Sequence, residues 1–330
     1  MAIVSLCSES SRAQSDRCCV AHQRQLSNCD FLLRQISITE EQFGSIATQV
    51  FTVNQGDGQL ISRRTFLKTL GLGAVSGAAL ASYAFAIEPL WRLVVTRYAL
   101  QPTNWTRGLK LKVAILADIP ACNPWMSIRR IERIVERTND LKPDLTLLLG
   151  DFSAGISSRF VTSYVHSSDW APVLAKLEAP LGRYAILGNH DWWEDKTAQK
   201  QGHGPTFGQL ALQNVGVPVL ENQSIRILHA GDSFWVAGLG DQLALLPRNE
   251  YGRTNWQGMD DLPQTLDSAP KNETVILMAH EPDIFPRVLE AQTPVALTVS
   301  GHTHGGQFRV FGHSPVVPSR YGNKYAYGAM

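Results

Sequence analysis

The chain has 330 residues, of which 44% are hydrophobic and 18% charged. This balance excludes a wholly disordered protein, and the length corresponds to about two domains of ordinary size. Lysine and arginine number 30 against 29 aspartate and glutamate residues, so the net charge of +1 gives no support to a nucleic-acid partner. Five cysteines in a chain of this length exclude a disulfide scaffold.

Residues 1–61 differ from the rest of the chain in composition and pattern. They are rich in serine and glutamine, contain no lysine and show neither a sustained helical nor a sustained strand period. We expect this extension to be poorly ordered, or the true start of the protein to lie further along the chain. Cys18 and Cys19 are adjacent and the region has no C-x-x-C pair, which argues against a metal site there.

Residues 62–87 resemble a twin-arginine export signal. The segment begins with the letters SRRTFLK at 62–68, continues as an uncharged stretch rich in glycine and alanine, and offers a cleavage site at 84–86. It is either cleaved or kept as an anchor; a core helix is the alternative. The resemblance implies the twin-arginine export machinery as a partner and a periplasmic or membrane-anchored location facing outward. Residues 88–108 are predicted to be a linker, or to lie against a membrane surface.

Residues 109–330 are predicted to form one globular domain. Continuous apolar strands alternate with helical patterns, which indicates an α/β fold whose sheet is covered on both faces. The strands are expected at 112–117, 144–149, 183–187, 225–228, 234–237, 274–279 and 296–300. The helices are expected at 127–141, 170–177, 207–215 and 283–291.

Polar residues come directly after five of these strands. They are Asp118, Gly150-Asp151, Gly188-Asn189-His190-Asp191, His280 and Gly301-His302-Thr303-His304-Gly305-Gly306. One such motif alone is weak, because Gly-Asp is commonly a simple turn and a buried histidine commonly a core residue. Five in succession favour one shared site, since ligands gather at the carboxyl ends of strands in α/β sheets. Carboxylate, imidazole and amide donors suit Mn, Fe, Zn or Mg.

These motifs resemble those of the calcineurin-like metallophosphoesterase family over residues 110–325. The stretches 278–283 and 300–307 are similar to its exported bacterial branch, which includes phosphodiesterases resembling UDP-2,3-diacylglucosamine pyrophosphohydrolases of lipid A synthesis. The resemblance implies a four-layer α/β/β/α sandwich of two mixed sheets with two divalent metal ions at one edge. It also implies hydrolysis of a phosphodiester or pyrophosphate by a metal-bridging hydroxide, with a UDP-linked lipid or another envelope phosphodiester as substrate.

The resemblance further implies a role for each motif residue. Six are implied as metal ligands: Asp118 and His304 for the first metal, Asn189, His280 and His302 for the second, and Asp151 as the bridge between them. His190 is implied as the catalytic residue over the scissile phosphate, and Asp191 is expected to orient its loop.

The sequence departs from the family pattern in two places. The first motif of the family reads Asp-x-His, whereas this chain has Asp118-Ile119-Pro120, so the first metal loses an imidazole; Cys122 is not expected to replace it. Either the protein is an active phosphoesterase with a weakened first site, or it is a catalytically impaired metal- or phosphate-binding relative. A structural envelope protein without metal is a third hypothesis. Related chains continue past a segment like 321–328, so the C-terminal strands are expected to be truncated.

Overall fold

A computed structural model of the chain describes residues 2–6, 62–82, 93–155, 162–270, 272–291, 295–306, 309 and 311–330. The chain divides into two compact units, one comprising Met1–Ser8 with Leu90–Met330 and the other Glu9–Pro89. The expected disorder of residues 7–61 and the expected cleavage site at 84–86 lie outside the described residues.

The second unit contains helix α1 (Arg63–Ser82), which begins inside the twin-arginine motif. The N–H of Thr65 donates to the side-chain oxygen of Ser62 at 3.1 Å, so this serine caps the helix. The described side chains of residues 62–79 are exposed. Among the described residues, α1 and the other helices all lack the combination of length and apolar character needed to cross a bilayer.

The first unit contains a five-stranded sheet in the order β2-β1-β3-β5-β7. Its strands are β1 (Ala2–Leu6), β2 (Thr96–Leu100), β3 (Leu111–Leu116), β5 (Leu145–Leu148) and β7 (Arg183–Ala185). Strands β3, β5 and β7 run parallel, and β1 pairs parallel with β2 and antiparallel with β3. The sheet is therefore mixed, and the carboxyl ends of β3, β5 and β7 meet at one edge.

A second, four-stranded sheet has the order β11-β10-β9-β8. Its strands are β8 (Gln223–His229), β9 (Asp232–Gly238), β10 (Thr274–Met278) and β11 (Leu297–Val299). Strands β9, β10 and β11 are parallel, whereas β8 pairs antiparallel with β9. The short strands β4 (Cys122–Asn123) and β6 (Ser163–Tyr164) form a separate ribbon.

Three apolar clusters show that the two sheets and their helices form four layers. Between the sheets, Leu145 and Leu147 of the first sheet share a cluster with Val236 and Ile276 of the second. The outer face of the first sheet is covered by α2 (Ile128–Asp140), α3 (Ser167–Leu174) and α6 (Phe207–Asn214), and that of the second by α7 (Leu262–Asp267) and α8 (Phe285–Glu290). The short helices α4 (Asn189–Trp193) and α5 (Lys196–Gln201) complete the unit. The predicted four-layer α/β/β/α sandwich of two mixed sheets is confirmed.

Two strands depart from what the sequence led us to expect. Strand β1 lies within the extension predicted to be poorly ordered, and β2 lies within the predicted linker 88–108. In β2, half-buried and exposed side chains alternate, because the strand lies at the sheet edge. An edge strand of this kind carries a weak apolar signal, and β1 is held by backbone pairing with strands distant in sequence, which no local pattern reports.

Candidate metal centre

The sequence-predicted ligands lie where the two sheets meet, each beyond the carboxyl end of a strand. Asp118 follows β3, Asp151 follows β5 and Asn189 follows β7, while His280 and His302 follow β10 and β11. The ring Nδ1 of His280 lies 2.6 Å from the carbonyl oxygen of Leu149, so a hydrogen bond joins the two sheets at this edge. Strands from both sheets therefore fix the starting positions of the donors.

The first group of donors consists of Asp118, Asp151 and His304. One ligand atom from each lies within 4.8 Å of the others. His304 Nε2 is 3.6 Å from Asp118 Oδ1, and the same oxygen accepts a 3.0 Å hydrogen bond from the backbone N–H of His302. The group brings together two carboxylates and one imidazole, a donor set suited to a divalent cation with open positions.

The second group consists of Asp151, His280 and His302, with ligand atoms again within 4.8 Å of one another. His280 Nε2 is 3.3 Å from Asp151 Oδ2. Asn189 joins this group through a 2.9 Å contact between its Oδ1 and His302 Nδ1. Asp151 belongs to both groups, so its carboxylate lies between the two sets of donors. The structure thus brings together all six residues named from the sequence.

The surroundings of His280 fit a cation. Its Nδ1 must donate to the Leu149 carbonyl, which leaves Nε2 as an acceptor; that atom is buried and has no hydrogen-bond partner. Burial opposes a charged imidazolium, but the negative charge of Asp151 outweighs it and raises the pKa of His280 well above its usual value. This place therefore favours positive charge, whether a proton or a metal ion.

The surroundings shift the pKa values of Asp151 and Asp118 in opposite directions. Burial disfavours the Asp151 carboxylate, yet the positive charge of the His280 imidazole, 3.3 Å away, lowers the pKa of Asp151 below the usual range. Burial raises the pKa of Asp118. The negative charge of Asp151 raises it further, whereas the positive charge of His280 lowers it. A divalent cation between these carboxylates would relieve the repulsion between them.

Asp191 is fully buried and lies behind the site. Its Oδ1 accepts hydrogen bonds from the backbone N–H groups of Phe152 and Ser153, and its Oδ2 accepts from those of Asp151 and Gly188. Burial, together with the Asp151 charge, raises the pKa of Asp191 to about 7 despite these donors. Because both oxygens are occupied by the backbone, this carboxylate ties two loops together, as expected of a residue that orients its loop.

Backbone geometry shows that the loops are shaped around the donors. Left-handed φ angles of 54°, 56°, 64° and 50° occur at Asp118, Asp151, His302 and His304, a conformation that is strained for side chains of this kind. A Cβ at Gly188 would lie 2.3 Å from Asp151 Oδ1 and 2.6 Å from a ring carbon of His280. The glycine therefore leaves space that the ligands occupy.

His190 lies beside the shared carboxylate. Its backbone N–H donates to Asp151 Oδ1 at 2.9 Å, and its ring packs edge-on against Trp193 at 4.9 Å between centroids. The ring Nδ1 is buried and has no hydrogen-bond partner. A Cβ at Gly155 would lie 2.4 Å from the ring, so a glycine again makes room for a functional side chain. The imidazole is thus held beside the shared carboxylate, with its Nδ1 shielded from solvent.

Sequence reasoning missed two carboxylates behind His280. Asp241 and Glu281 are buried and form a third group with His280, their ligand atoms also lying within 4.8 Å of one another. Burial and the nearby Glu281 raise the pKa of Asp241 well above its usual value. Asp241 comes soon after β9, so the strand-end rule that found the other residues could have found it. In the described part of the chain, Cys122 joins none of these groups.

An α/β/β/α sandwich with carboxylate, imidazole and amide donors at one edge defines a metal-site scaffold of the kind used by hydrolases. Residues 111–306 match the family described as calcineurin-like phosphoesterase, which is more than half of the chain. The chain belongs to the calcineurin-like phosphoesterase family, whose members act on phosphoric esters.

Several relatives share this domain. The uncharacterized metallophosphoesterase YkuE of Bacillus subtilis is 27% identical over 275 residues, covering 81% of this chain and 85% of the relative. The phosphodiesterase YaeI of Escherichia coli is 27% identical over 252 residues, covering 76% of this chain and 80% of the relative. A transmembrane protein with metallophosphoesterase domain from Bos taurus is 29% identical over 204 residues, covering 60% of this chain. This match covers 41% of the Bos taurus protein. A second match, to a putative metallophosphoesterase of Caenorhabditis elegans, covers 38% of that relative.

Proposed function

We propose that the protein is a metal-dependent phosphoesterase that hydrolyses a phosphodiester or pyrophosphate bond. The observation that carries the proposal is the position of Asp151, whose carboxylate is shared by the two donor groups Asp118–His304 and His280–His302. A carboxylate between two sets of ligands suits a pair of divalent cations such as Mn, Fe, Zn or Mg. The buried, unpartnered Nε2 of His280 supports the fit.

The residues divide the work of the proposed reaction. Two bound divalent cations supply charge neutralisation of the phosphate and activation of water. Asp118 and His304 would hold one cation. Asn189, His280 and His302 would hold the other, and Asp151 would contact both. His190 stands beside Asp151, so its imidazole can stabilise charge on the phosphate or protonate the leaving oxygen. Asp191 keeps the loops of Asp151 and Asn189 in register through four backbone hydrogen bonds.

A diester or pyrophosphate of the cell envelope is the substrate class we favour, with a UDP-linked lipid as one candidate. The E. coli relative is named a phosphodiesterase, which supports a diester over a monoester. The export-like segment 62–87 supports a substrate outside the cytoplasm. The chain has no excess of basic residues that would favour nucleic acid as a substrate.

A manganese-dependent assay with bis-p-nitrophenyl phosphate tests the activity. Protein stripped with a chelator should be inactive, and readdition of Mn²⁺ should restore turnover; p-nitrophenyl phosphate, the monoester, should react more slowly. A panel of envelope phosphodiesters then ranks substrates by kcat/KM. Turnover that is equally fast in stripped and reloaded protein would rule out the proposed metal dependence.

We also propose that residues 62–87 direct export by the twin-arginine machinery, leaving the enzyme periplasmic or anchored to the membrane surface and facing outward. The paired Arg63 and Arg64 at the start of a capped helix support this proposal. Replacing both with lysine preserves charge but removes the guanidinium groups that the signal requires. Cell fractionation should then find the full chain retained in the cytoplasm, whereas the lysine substitution of Arg129 and Arg130 in α2 should not change its location.

A catalytically impaired relative is the second candidate function, and one observation favours it. The residue two positions after Asp118 is Pro120, so the first donor group has only Asp118, Asp151 and His304 within reach of one another. Three protein ligands still define an open metal site, which is why we place the active enzyme first. A protein without any metal, the third hypothesis, would be recognised by metal analysis of material purified without chelators.

A further inference from the structure

Trp256 is an exposed tryptophan that packs against the surroundings of His190. Its side chain is 48% exposed, and its ring lies 5.2 Å from that of Trp193 with a 40° tilt. It is the one exposed tryptophan in the part of the chain that the structure describes. Its half-exposed indole offers a flat apolar surface to a ligand.

The loop that carries Trp256 is firmly held. The next residue, Gln257, exchanges two backbone hydrogen bonds with Leu245, of 2.9 and 3.2 Å. Within the same loop, the buried Arg253 donates to the carbonyl oxygen and side-chain oxygen of Gln199 and to the Leu246 carbonyl. These contacts fix the loop to α5 and its surroundings. The indole is therefore presented in a set position and does not need to be ordered when a ligand arrives.

Trp193 connects this exposed ring to the proposed active site. Its indole N–H donates to the carbonyl oxygen of Leu243 at 2.7 Å, which fixes the ring plane. The ring contacts both His190, at 4.9 Å between centroids, and Trp256, at 5.2 Å. An aromatic surface thus extends from the residue proposed to act on the phosphate to the solvent, over two ring-to-ring contacts.

We propose that Trp193 and Trp256 form a stacking platform for the nucleobase of a nucleotide whose sugar is esterified to the reacting phosphate. The inference rests on the proposed function, because it takes the phosphate to bind beside His190. In a nucleotide the base is separated from the phosphate by one sugar, which matches a platform that begins next to the phosphate site. Every base offers a flat π-face, so an indole can bind it without hydrogen bonds to its edge.

Two ligands that differ only in the base test this proposal by binding rather than turnover. Isothermal titration of manganese-loaded protein with AMP and with ribose 5-phosphate should show about tenfold tighter binding of AMP. Trp256→Ala should remove that preference, and Trp256→Phe should keep most of it, because phenylalanine retains an aromatic face. Titration with UMP in place of AMP shows whether the smaller uracil base also tightens binding. A UDP-linked substrate requires that it does. Released phosphate is followed so that consumption of either ligand is recognised.

Leu228→Ala is the matched control for loss of an exposed apolar side chain. Leu228 is 72% exposed on β8 and pairs with Ser233 at the start of β9, which is the end of the sheet away from His280. This variant should keep the preference for AMP. Equal affinities for AMP and ribose 5-phosphate in the unmodified protein, or an undiminished preference in Trp256→Ala, would overturn the proposal. Either result leaves manganese-dependent hydrolysis intact, whereas failure of the proposed function would appear as loss of that hydrolysis itself.

Discussion

The carboxylate of Asp191 accepts a 2.9 Å hydrogen bond from the backbone N–H of Asp151. The same carboxylate holds the N–H of Gly188, immediately before Asn189, so a single side chain sets the loops that present two of the proposed ligands. The two loops follow strands β5 and β7, which are neighbours in the first sheet. Asp191 therefore acts on the metal centre through the backbone, without offering a ligand atom of its own.

Asp191→Asn should weaken both folding and metal binding. An amide nitrogen cannot accept, so at least one buried N–H loses its partner, and the free energy of unfolding should fall by about 2 kcal/mol. Misplacement of the ligand loops should weaken Mn²⁺ affinity about tenfold. Urea unfolding and manganese titration measure the two effects. Asp195→Asn is the control, because Asp195 accepts from the N–H groups of Thr197, Ala198 and Phe207 around α5. It should lose stability and keep its manganese affinity; the same pattern in Asp191→Asn would contradict the orienting role.

Asp151→Asn should remove metal and activity together. Two dications share the charge of this carboxylate in the proposed centre, and a neutral amide cannot replace it. We expect kcat/KM for bis-p-nitrophenyl phosphate to fall about a hundredfold or more, and bound manganese, measured by mass spectrometry of the metal, to fall with it. Near-normal turnover with full metal content would refute the bridging assignment.

Asp144 offers a matched control for this substitution. It lies just before β5, whereas Asp151 lies beyond the carboxyl end of the same strand. Its Oδ2 accepts a 2.7 Å hydrogen bond from the backbone N–H of Lys112. Asp144→Asn should therefore cost stability at most, with metal content and kcat/KM unchanged.

His190→Ala should separate chemistry from metal binding. Its contact with Asp151 is made by the backbone N–H, which alanine retains, so metal content should stay the same. Loss of the imidazole should lower kcat by about 10²–10⁴-fold. His203→Ala is the control, since this exposed ring contacts the carbonyl oxygen of the neighbouring Gly204 at 2.6 Å, and it should keep full activity. A loss of manganese in His190→Ala would show instead that the ring supports the metal site.

Glu221→Gln should stabilise the protein near neutral pH. Burial raises the pKa of Glu221, so the folded protein holds this proton to higher pH than the unfolded chain. The free energy of unfolding therefore falls as pH rises from the unfolded pKa through the folded one. Glutamine does not titrate, and the variant should exceed the parent by up to about 1 kcal/mol at pH 7. The difference between variant and parent should narrow in urea unfolding at pH 4.5, because protonation of the parent carboxyl increases as the pH falls.

Glu273→Gln provides a control of opposite sign. Glu273 accepts hydrogen bonds from Ser233, Trp235 and Arg226, and these outweigh desolvation to lower the pKa of Glu273. Its contribution to stability is present above the unfolded pKa and is lost as pH falls. This variant should be less stable than the parent at pH 7, and the deficit should shrink at pH 4.5. Equal shifts at both pH values in either variant would contradict the assigned titration.

The alternation of strands and helices and the gathering of the donors were accessible from local patterns in the sequence, whereas the four layers with two sheets followed from the family resemblance. Helix α2 buries Ile131, Ile134 and Val135 at the predicted helical spacing. Donors that follow parallel strands must meet at one edge, so the position of a motif after a strand was enough to bring six of them together. The roles of these residues as ligands remain predictions.

What the sequence did not reveal depends on contacts between distant segments. Strand β1 belongs to the first sheet through pairing with β2 and β3, which lie about a hundred residues further along the chain. The buried pair Asp241 and Glu281 becomes visible only when β9 and β10 lie side by side. The contact between Trp193 of α4 and Trp256 likewise joins two segments that carry no shared motif.

Pro120→His should show whether the first donor group limits the enzyme. Proline offers no side-chain ligand, and the group within reach is Asp118, Asp151 and His304. An added imidazole should raise Mn²⁺ affinity about tenfold and increase turnover at low manganese. Titration of activity and bound metal against Mn²⁺ concentration measures this. Pro120→Leu is the control, because it relieves the same backbone constraint without adding a ligand atom, and it should gain neither. If activity at saturating manganese rises from near zero only in Pro120→His, the natural protein is the impaired relative; if that activity is already substantial in the parent, it is the working phosphoesterase we propose.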